Sequence, residues 1–181
     1  MGLVLFRTSE PQGETDAPTG VESAATVEVL IGHMGGPFWA RKDEGAWSFP
    51  KGLVEETDVT ADGVARREFA EELGLPAPDG PVFDLGVTPG GRKRIRLLAM
   101  HVSVDALDPG LHDDALAAGI DGGTFDMEWP PKSGRTASFP EIDRAAWVTL
   151  DVAALKLSKN QRDAVERVAA LATTIAAQPG S

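Results

Sequence analysis

The distribution of apolar residues along the chain predicts a series of strands. Residues 3–7 (LVLFR) and 26–33 (TVEVLIGH) are apolar or alternating and rich in Val, Ile and Leu, which predicts two strands. The segment 9–24 between them is polar and rich in Gly, Pro and acidic residues, so we expect an exposed hairpin loop there. The remaining strand-like segments are short extended pieces over 47–54, a pair over 84–88 and 94–104, and single strands over 124–129 and 145–150.

Two longer segments have the pattern of helices. Residues 60–73 follow a helical period, with Thr60 as the N-cap and Gly74 at the stop. The segment 158–177 has a capping-box pair followed by an apolar stripe, formed by Ser158 and Gln161 and then by Val165, Val168, Ala172 and Ile175. Residues 106–123 are predicted to be a loop with one helical turn. Because no internal repeat or linker interrupts this order, we expect a single α/β domain over residues 1–181.

Three carboxylates lie close together on the first predicted helix. At about 100° per residue, Phe69 and Leu73 form an apolar stripe, and Glu72, Glu68 and Glu71 follow it within an arc of about 100°. Two like charges about 4 Å apart repel by roughly 4 kcal/mol at an effective dielectric constant of about 20. The spacing by itself favours a solvated acidic face. A hard divalent cation such as Mg²⁺ would also relieve the repulsion, because it prefers carboxylate oxygens.

The wider pattern around these acids resembles the Nudix box, the signature of the Nudix hydrolases. Residues 67–75 (REFAEELGL) match the second half of the box throughout, and Gly52 after Pro50-Lys51 is similar to its start. The box departs from the usual pattern at Asp58, where Glu is expected, and by one extra residue, which we place in the polar loop 55–63. This departure leaves open whether Glu55, Glu56 or Asp58 pairs with Arg67.

The resemblance implies the Nudix α/β/α sandwich, in which a mixed β-sheet lies between helices. It also implies that Glu68, Glu71, Glu72 and the Gly52 carbonyl bind Mg²⁺ or Mn²⁺, while Arg67 holds the box loop by pairing with an acid. In this family the metal polarises a diphosphate, and water attacks one phosphorus of a P–O–P linkage. Glu71 and Glu72 are therefore candidates for the catalytic base as well as for metal binding.

Residues outside the box supply further candidates. Glu128, in the sequence DMEWPP, is the first candidate for an extra metal ligand or base, and Glu141 is a weaker rival; a surface Glu is the alternative for both. The candidates for substrate binding are Lys51, Arg41, Arg92, Arg94 and Trp39. Arg92, Arg94 and Arg96 alternate, so they would share one strand face. A solvated surface is the alternative for the cations, and core packing is the alternative for Trp39.

The composition restricts the partners and the location. With 17 Lys and Arg against 28 Asp and Glu, the net charge is −11, which argues against a binder of duplex nucleic acid. The absence of Cys excludes disulfides, thiol catalysis and cysteine-ligated zinc. No apolar run approaches the roughly 18 residues of a membrane span, so we expect no membrane interaction and a cytoplasmic location.

These features together predict a metal-dependent diphosphate hydrolase. Family frequency suggests a nucleoside diphosphate linked to another group X as the small-molecule substrate, and it also suggests a homodimer. Dinucleoside polyphosphates and ADP-ribose are the narrower alternatives. A different class is a Nudix-like module that binds a nucleotide without cutting it. Such modules usually lose box carboxylates, whereas this chain keeps all three.

Overall fold

The centre of the molecule is a mixed six-stranded sheet in the computed structural model, which describes residues 1–9, 25–89 and 94–178. The strands are, in chain order, β1 (Gly2–Ser9), β2 (Thr26–Met34), β3 (Trp47–Ser48), β4 (Phe83–Val87), β5 (Arg96–His101), β6 (Thr124–Glu128), β7 (Thr136–Pro140) and β8 (Ile142–Thr149). The helices are α1 (Ala61–Leu73), α2 (Asp113–Ala118), α3 (Leu150–Lys156) and α4 (Asp163–Ala176).

The strand order places β1 in the interior of the sheet. The order is β3-β2-β1-β5-β4, and β8 pairs with β2. β1 is antiparallel to β2 and parallel to β5, whereas β4 and β8 are antiparallel to their partners. Ser9 lies opposite Thr26, as the predicted hairpin requires, and residues 10–24 of its loop lie outside the described residues.

Helices cover both faces of this sheet because its central strands are apolar on both sides. Leu3 and Leu5 pack with α1 and α2, whereas Val4 and Phe6 point the other way and pack with α3 and α4. All four of these β1 side chains are fully buried. The predicted sandwich of a mixed sheet between helices is therefore confirmed. None of the helices in the described ranges is long and apolar enough to cross a bilayer.

Helix α1 begins and ends where its sequence signals predict. The Thr60 side chain accepts a hydrogen bond from the backbone nitrogen of Gly63 at 3.0 Å, which satisfies one free donor of the first turn. Gly74 follows the last turn with φ +68°, a left-handed conformation that favours glycine. These local signals predict α1 well because each one involves residues of the same turn.

The predicted capping box of the last helix is wrong. Helix α4 begins at Asp163, after a turn, and Ser158 Oγ donates to Asn160 Oδ1 at 2.9 Å instead. The side chain of Gln161 is buried, and its Oε1 accepts a hydrogen bond from the backbone nitrogen of Phe49 at 2.8 Å. The Gln161 side chain therefore binds the distant backbone of Phe49 and does not cap the helix.

The sequence pattern did not predict two elements of the structure. Strand β7 pairs with β6 to form a separate antiparallel sheet, and α3 follows β8 directly. Strand β7 alternates half-buried and exposed residues beside the short strand β6, so its apolar signal is weak. The last strand of the main sheet also begins at Ile142, three residues before the predicted start.

Candidate active site

The sheet-facing side of α1 carries two of the three box carboxylates. Glu68 and Glu72 are each only 7% exposed, beside the fully buried Phe69. The side chain of Glu71 is 55% exposed, on the outer side. This arrangement matches the helical projection, which places Glu72 and Glu68 nearer to the apolar stripe than Glu71.

Glu72 is held by the backbone of the segment that enters the box. Its Oε2 accepts a hydrogen bond from the backbone nitrogen of Lys51 at 3.1 Å. Burial raises the pKa of Glu72 to about 7; the charge of Lys51 opposes this rise, and the charges of Glu141 and Glu68 add to it. A cation placed nearby would favour the ionised form by offsetting its desolvation.

The backbone of Gly52 lies directly against Glu68. A Cβ added at Gly52 would lie 1.6 Å from Glu68 Oε2, so any larger residue would displace the carboxylate. Burial raises the pKa of Glu68, while the charge of Arg67 opposes that rise. The Gly52 carbonyl oxygen accepts a hydrogen bond from the amino nitrogen of Met1 at 2.7 Å. The fold therefore brings the first residue of the box onto Glu68, the first of the three box carboxylates on α1.

Arg67 connects the box loop to the helix. Its guanidinium lies 2.9 Å from Asp58 Oδ2, 2.9 Å from Glu71 Oε2 and 3.0 Å from Glu68 Oε1, whereas Glu55 is 3.8 Å away. The Arg67 guanidinium also lowers the pKa of Asp58. Of the loop acids that the sequence offered as partners of Arg67, Asp58 is therefore the one that pairs with it most closely.

The chemistry of these donors fits a hard divalent cation. The groups around Gly52 are carboxylate and carbonyl oxygens, which Mg²⁺ and Mn²⁺ prefer, and the cradle at Gly52 admits no Cβ. Among the described residues, no three acidic or histidine side chains are gathered in an arrangement that would hold a metal ion. Arg67 instead contacts both Glu68 and Glu71. The ligand set of Gly52, Glu68, Glu71 and Glu72 therefore stays a prediction.

A cleft of about 520 Å³ opens beside Gly52. Its walls come from the box loop and from the ends of β4 and β5, and the lining residues are Met1, Gly52, Leu53, Val54, Val87, Arg94 and Arg96. An adjoining hollow of about 260 Å³ adds Lys51 and Ile95. The structure thus brings Lys51 and Arg94, two predicted substrate-binding residues, to one place. Arg92 lies outside the described residues.

The structure does not place Glu128 beside the carboxylates of α1, so its role as an extra metal ligand or base stays a prediction. Glu128 lies at the exposed end of β6, and its Oε1 accepts a hydrogen bond from the backbone nitrogen of Gly134 at 2.7 Å. Gly123 is the residue whose backbone contacts Glu71, and it precedes Glu128 by five residues. Along an extended strand, five residues span roughly 16 Å.

Arg41 and Trp39 also lie away from the cleft. Arg41 is exposed, and Trp39 is half-buried with the Lys42 ammonium 4.6 Å from its ring centroid. Neither residue lines the cleft beside Gly52 or the adjoining hollow. The two were predicted from residue type within an irregular loop, and that pattern carries no information on where the loop packs.

Glu141, the weaker candidate in the sequence, faces the site instead. Its backbone nitrogen donates to the Gly123 carbonyl at 2.8 Å, and the Gly123 nitrogen donates to the Glu71 carbonyl at 2.6 Å. The charge of Glu141 contributes to the raised pKa of Glu72. No sequence signal distinguishes Glu141 from other surface acids, because its position depends on how the β7–β8 junction packs against α1.

Comparisons with known proteins agree with this fold. The family model described as NUDIX domain matches residues 22–168. A mutT/nudix family protein from Listeria innocua is similar in structure, with a TM-score of 0.58 and 20% identity over 96% of this chain and 92% of that chain. A C. elegans Ap4A hydrolase in a binary complex has a TM-score of 0.50 and 16% identity over 96% of each chain. No curated protein matches this chain.

Proposed function

Because the chain belongs to the Nudix family, we propose that it is a metal-dependent hydrolase that cleaves the P–O–P linkage of a diphosphate compound. The observation that carries this proposal is the packing of two buried carboxylates, Glu68 and Glu72, beside Gly52. Burying two acids at one helix face is unfavourable unless a cation or a proton compensates for it. Arg67 compensates part of this charge at Glu68, and a divalent cation would compensate for the rest and serve the reaction as well.

The proposed metal ligands are the side chains of Glu68, Glu71 and Glu72 and the carbonyl of Gly52. When bound, Mg²⁺ or Mn²⁺ would neutralise the diphosphate and lower the pKa of a bound water. Arg67 would keep the box loop against α1 through Asp58, to which it is paired in the structure. A bound metal ion would replace the contacts that Arg67 makes with Glu68 and Glu71.

The reaction needs a base and a means of holding the phosphates. Water attacks one phosphorus, the bond from that phosphorus to the bridging oxygen breaks, and the other phosphate leaves, with no covalent intermediate on the protein. Glu71, Glu72 and Glu141 are the proposed candidates for the proton acceptor. Lys51 and Arg94 would hold phosphate oxygens at the cleft, where their charges offset those of the substrate.

We further propose a small molecule with a phosphoanhydride as the substrate, and a nucleoside diphosphate linked to a group X is the class that the family suggests. A binding module without catalysis is less well supported, because the chain keeps all three box carboxylates. A screen of diphosphate compounds with Mg²⁺ and with Mn²⁺ tests the proposal. The position of the released phosphate then identifies the bond that is cleaved.

The first prediction concerns Glu72→Gln. We expect turnover to fall by about 10³-fold or more, because a metal ligand and a candidate base are lost together. Thermal unfolding should show that the variant still folds, and Glu166→Gln on the exposed face of α4 serves as the matched control. Activity of Glu72→Gln near that of the unmodified protein would contradict the proposed role.

A further inference from the structure

The cleft beside Gly52 combines aliphatic and cationic side chains. Leu53, Val54 and Val87 form its aliphatic part, and Arg94 and Arg96 form its cationic part, together with Met1 and Gly52. Leu53 is 71% exposed and Val54 is 63% exposed, although both are large apolar residues. Two neighbouring exposed aliphatic residues that line a cleft offer an apolar surface that a ligand can cover.

The described walls of the cleft carry no aromatic ring and no amide side chain. Segments 50–68 and 84–100 together contain no Phe, Trp, Tyr, His, Asn or Gln. Bases are usually held by stacking on an aromatic ring and by amide side chains that match their polar edges. Trp47 and Trp147 are buried in the core, so neither offers an open ring face to a ligand. The composition of the walls therefore disfavours a base in this cleft.

Several other aromatic residues with some exposure pack elsewhere. Trp129 makes edge contacts with Phe38 and Phe139, with ring centroids 5.5 and 6.4 Å apart, at the outer end of β6. Trp39 lies under Lys42. None of these rings lines the cleft or the adjoining hollow. A base stacked on any of them would leave the aliphatic wall beside Gly52 uncovered.

The charges of the cleft fit a diphosphate at the end nearest the box. Arg94 makes no ion pair with another described residue, whereas Arg96 is held by Asp84 at 2.9 Å. Lys51 borders the adjoining hollow, and its backbone nitrogen binds Glu72. A volume of about 520 Å³ is within the range of roughly 300–1,000 Å³ for small-molecule sites.

We infer that this cleft binds a hydrocarbon chain attached to a diphosphate, so that the substrate is an alkyl or alkenyl diphosphate. The inference rests on the proposed function, because it takes the bond cleaved to be P–O–P. Water would add its oxygen to the terminal phosphorus, and the bond from that phosphorus to the bridging oxygen would break. The products are inorganic phosphate and the alkyl monophosphate, and one proton is released near neutral pH.

A series of diphosphates of increasing chain length tests the inference. We expect kcat/KM with Mg²⁺ to rise from methyl diphosphate through butyl diphosphate to geranyl diphosphate. Each methylene that the cleft covers should contribute a factor of about three to four. Geranyl diphosphate should also be preferred over ADP-ribose and Ap4A. A flat chain-length profile, or a preference for the nucleotides, would overturn the inference.

Variants of the wall separate the two parts of the site. Leu53→Ser and Val54→Ser should flatten the chain-length profile, because they remove the aliphatic surface. Arg94→Gln should instead weaken all diphosphates by a similar factor. Leu155→Ser, which changes an exposed aliphatic residue on α3, is the matched control and should leave the profile as it is.

The outcomes distinguish this inference from the proposed function. Hydrolysis of nucleotides without hydrolysis of alkyl diphosphates would refute the inference and leave the proposed function standing. Hydrolysis of no diphosphate at all would refute the proposed function. Calorimetric titration with geranyl diphosphate would then decide the inference, which requires binding by the unmodified protein and at least about tenfold weaker binding by Leu53→Ser.

Discussion

At the scale of single residues, the site depends on where two acids and one glycine lie. Glu68 and Glu72 are buried by the same helix face that buries Phe69, because the three residues fall within one half of the helical wheel. Gly52 lies so close to Glu68 that only a residue without Cβ fits there. Helix period explains the first fact, and a contact between segments that are distant in the chain explains the second.

The acids outside the box give a test at this scale. We expect Glu141→Gln to lower kcat by about 10–10³-fold, because its carboxylate belongs to the charge environment of Glu72 and is a candidate base. Glu128→Gln should leave kcat within about twofold, since that side chain binds a hairpin backbone at Gly134. Steady-state kinetics on any diphosphate that the protein hydrolyses would check both. A large loss for Glu128→Gln with none for Glu141→Gln would reverse the assignment.

At the scale of elements, α1 is held at its C-terminal end by direct contact between backbones. A Cβ on Gly122 would lie 1.9 Å from the Glu72 carbonyl oxygen, and a Cβ on Gly74 would lie 2.0 Å from the Asp121 carbonyl oxygen. The Gly123 nitrogen adds a hydrogen bond of 2.6 Å to the Glu71 carbonyl. These contacts connect the end of α1 that carries Glu71 and Glu72 to the segment that leads into β6.

The variant Gly122→Ala tests whether this contact positions the helix. The added methyl group must push the end of α1 away, so we expect kcat to fall by about tenfold or more while stability falls by roughly 1–3 kcal/mol. Gly119→Ala is the matched control, because a Cβ there meets nothing within 4 Å although φ is +124°. That control should lose stability through strain yet keep kcat. Equal kcat in both variants would show that the Gly122 contact is structural only.

At the scale of the whole molecule, the sheet assembles the site from segments that are distant in sequence. The box loop, β4 and β5 meet because β1 pairs in parallel with β5 while Gly2 forms a bridge with Lys51. Gln161, on the other face of the sheet, holds the backbone of Phe49 just before the box. The same contacts therefore stabilise the molecule and position the site.

The buried carboxylate makes that stability depend on pH. The pKa of Glu72 is about 7 in the folded protein, against an ordinary value of 4.5. The folded state therefore holds the proton more tightly than the unfolded state does. This contribution to the free energy of unfolding is fully present below about pH 4.5 and is lost as the pH rises through 7. Without metal, we expect the stability of Glu72→Gln relative to the unmodified protein to increase by roughly 3 kcal/mol between pH 4.5 and pH 8. Urea unfolding in EDTA measures the difference.

The pair of proteins must be compared at both pH values, because other acids titrate in the same range. A difference that does not change with pH would contradict the assignment of the effect to Glu72. Added Mg²⁺ should stabilise the unmodified protein more than Glu72→Gln at pH 8, since a ligand that binds the folded state stabilises it. Equal stabilisation of the two by Mg²⁺ would argue that Glu72 is not a metal ligand.

Features that depend on near neighbours in the chain follow from the sequence alone. The strands β1 and β2, the helix α1 with its Thr60 and Gly74 caps, and the shared arc of the three acids follow from patterns within a few residues. Motif spacing then indicated the Nudix family, which the family match over residues 22–168 supports. Period and capping act over one or two helical turns, so the local sequence is enough to specify them.

Which distant groups meet depends on how the elements pack together. The tertiary structure paired Arg67 with Asp58, brought Glu141 and not Glu128 toward α1, and diverted Gln161 from a helix cap to Phe49. It also placed aliphatic residues of the box loop opposite Arg94 in one cleft. Such contacts depend on strand order and on the path of loops, and residue type and spacing specify neither of them.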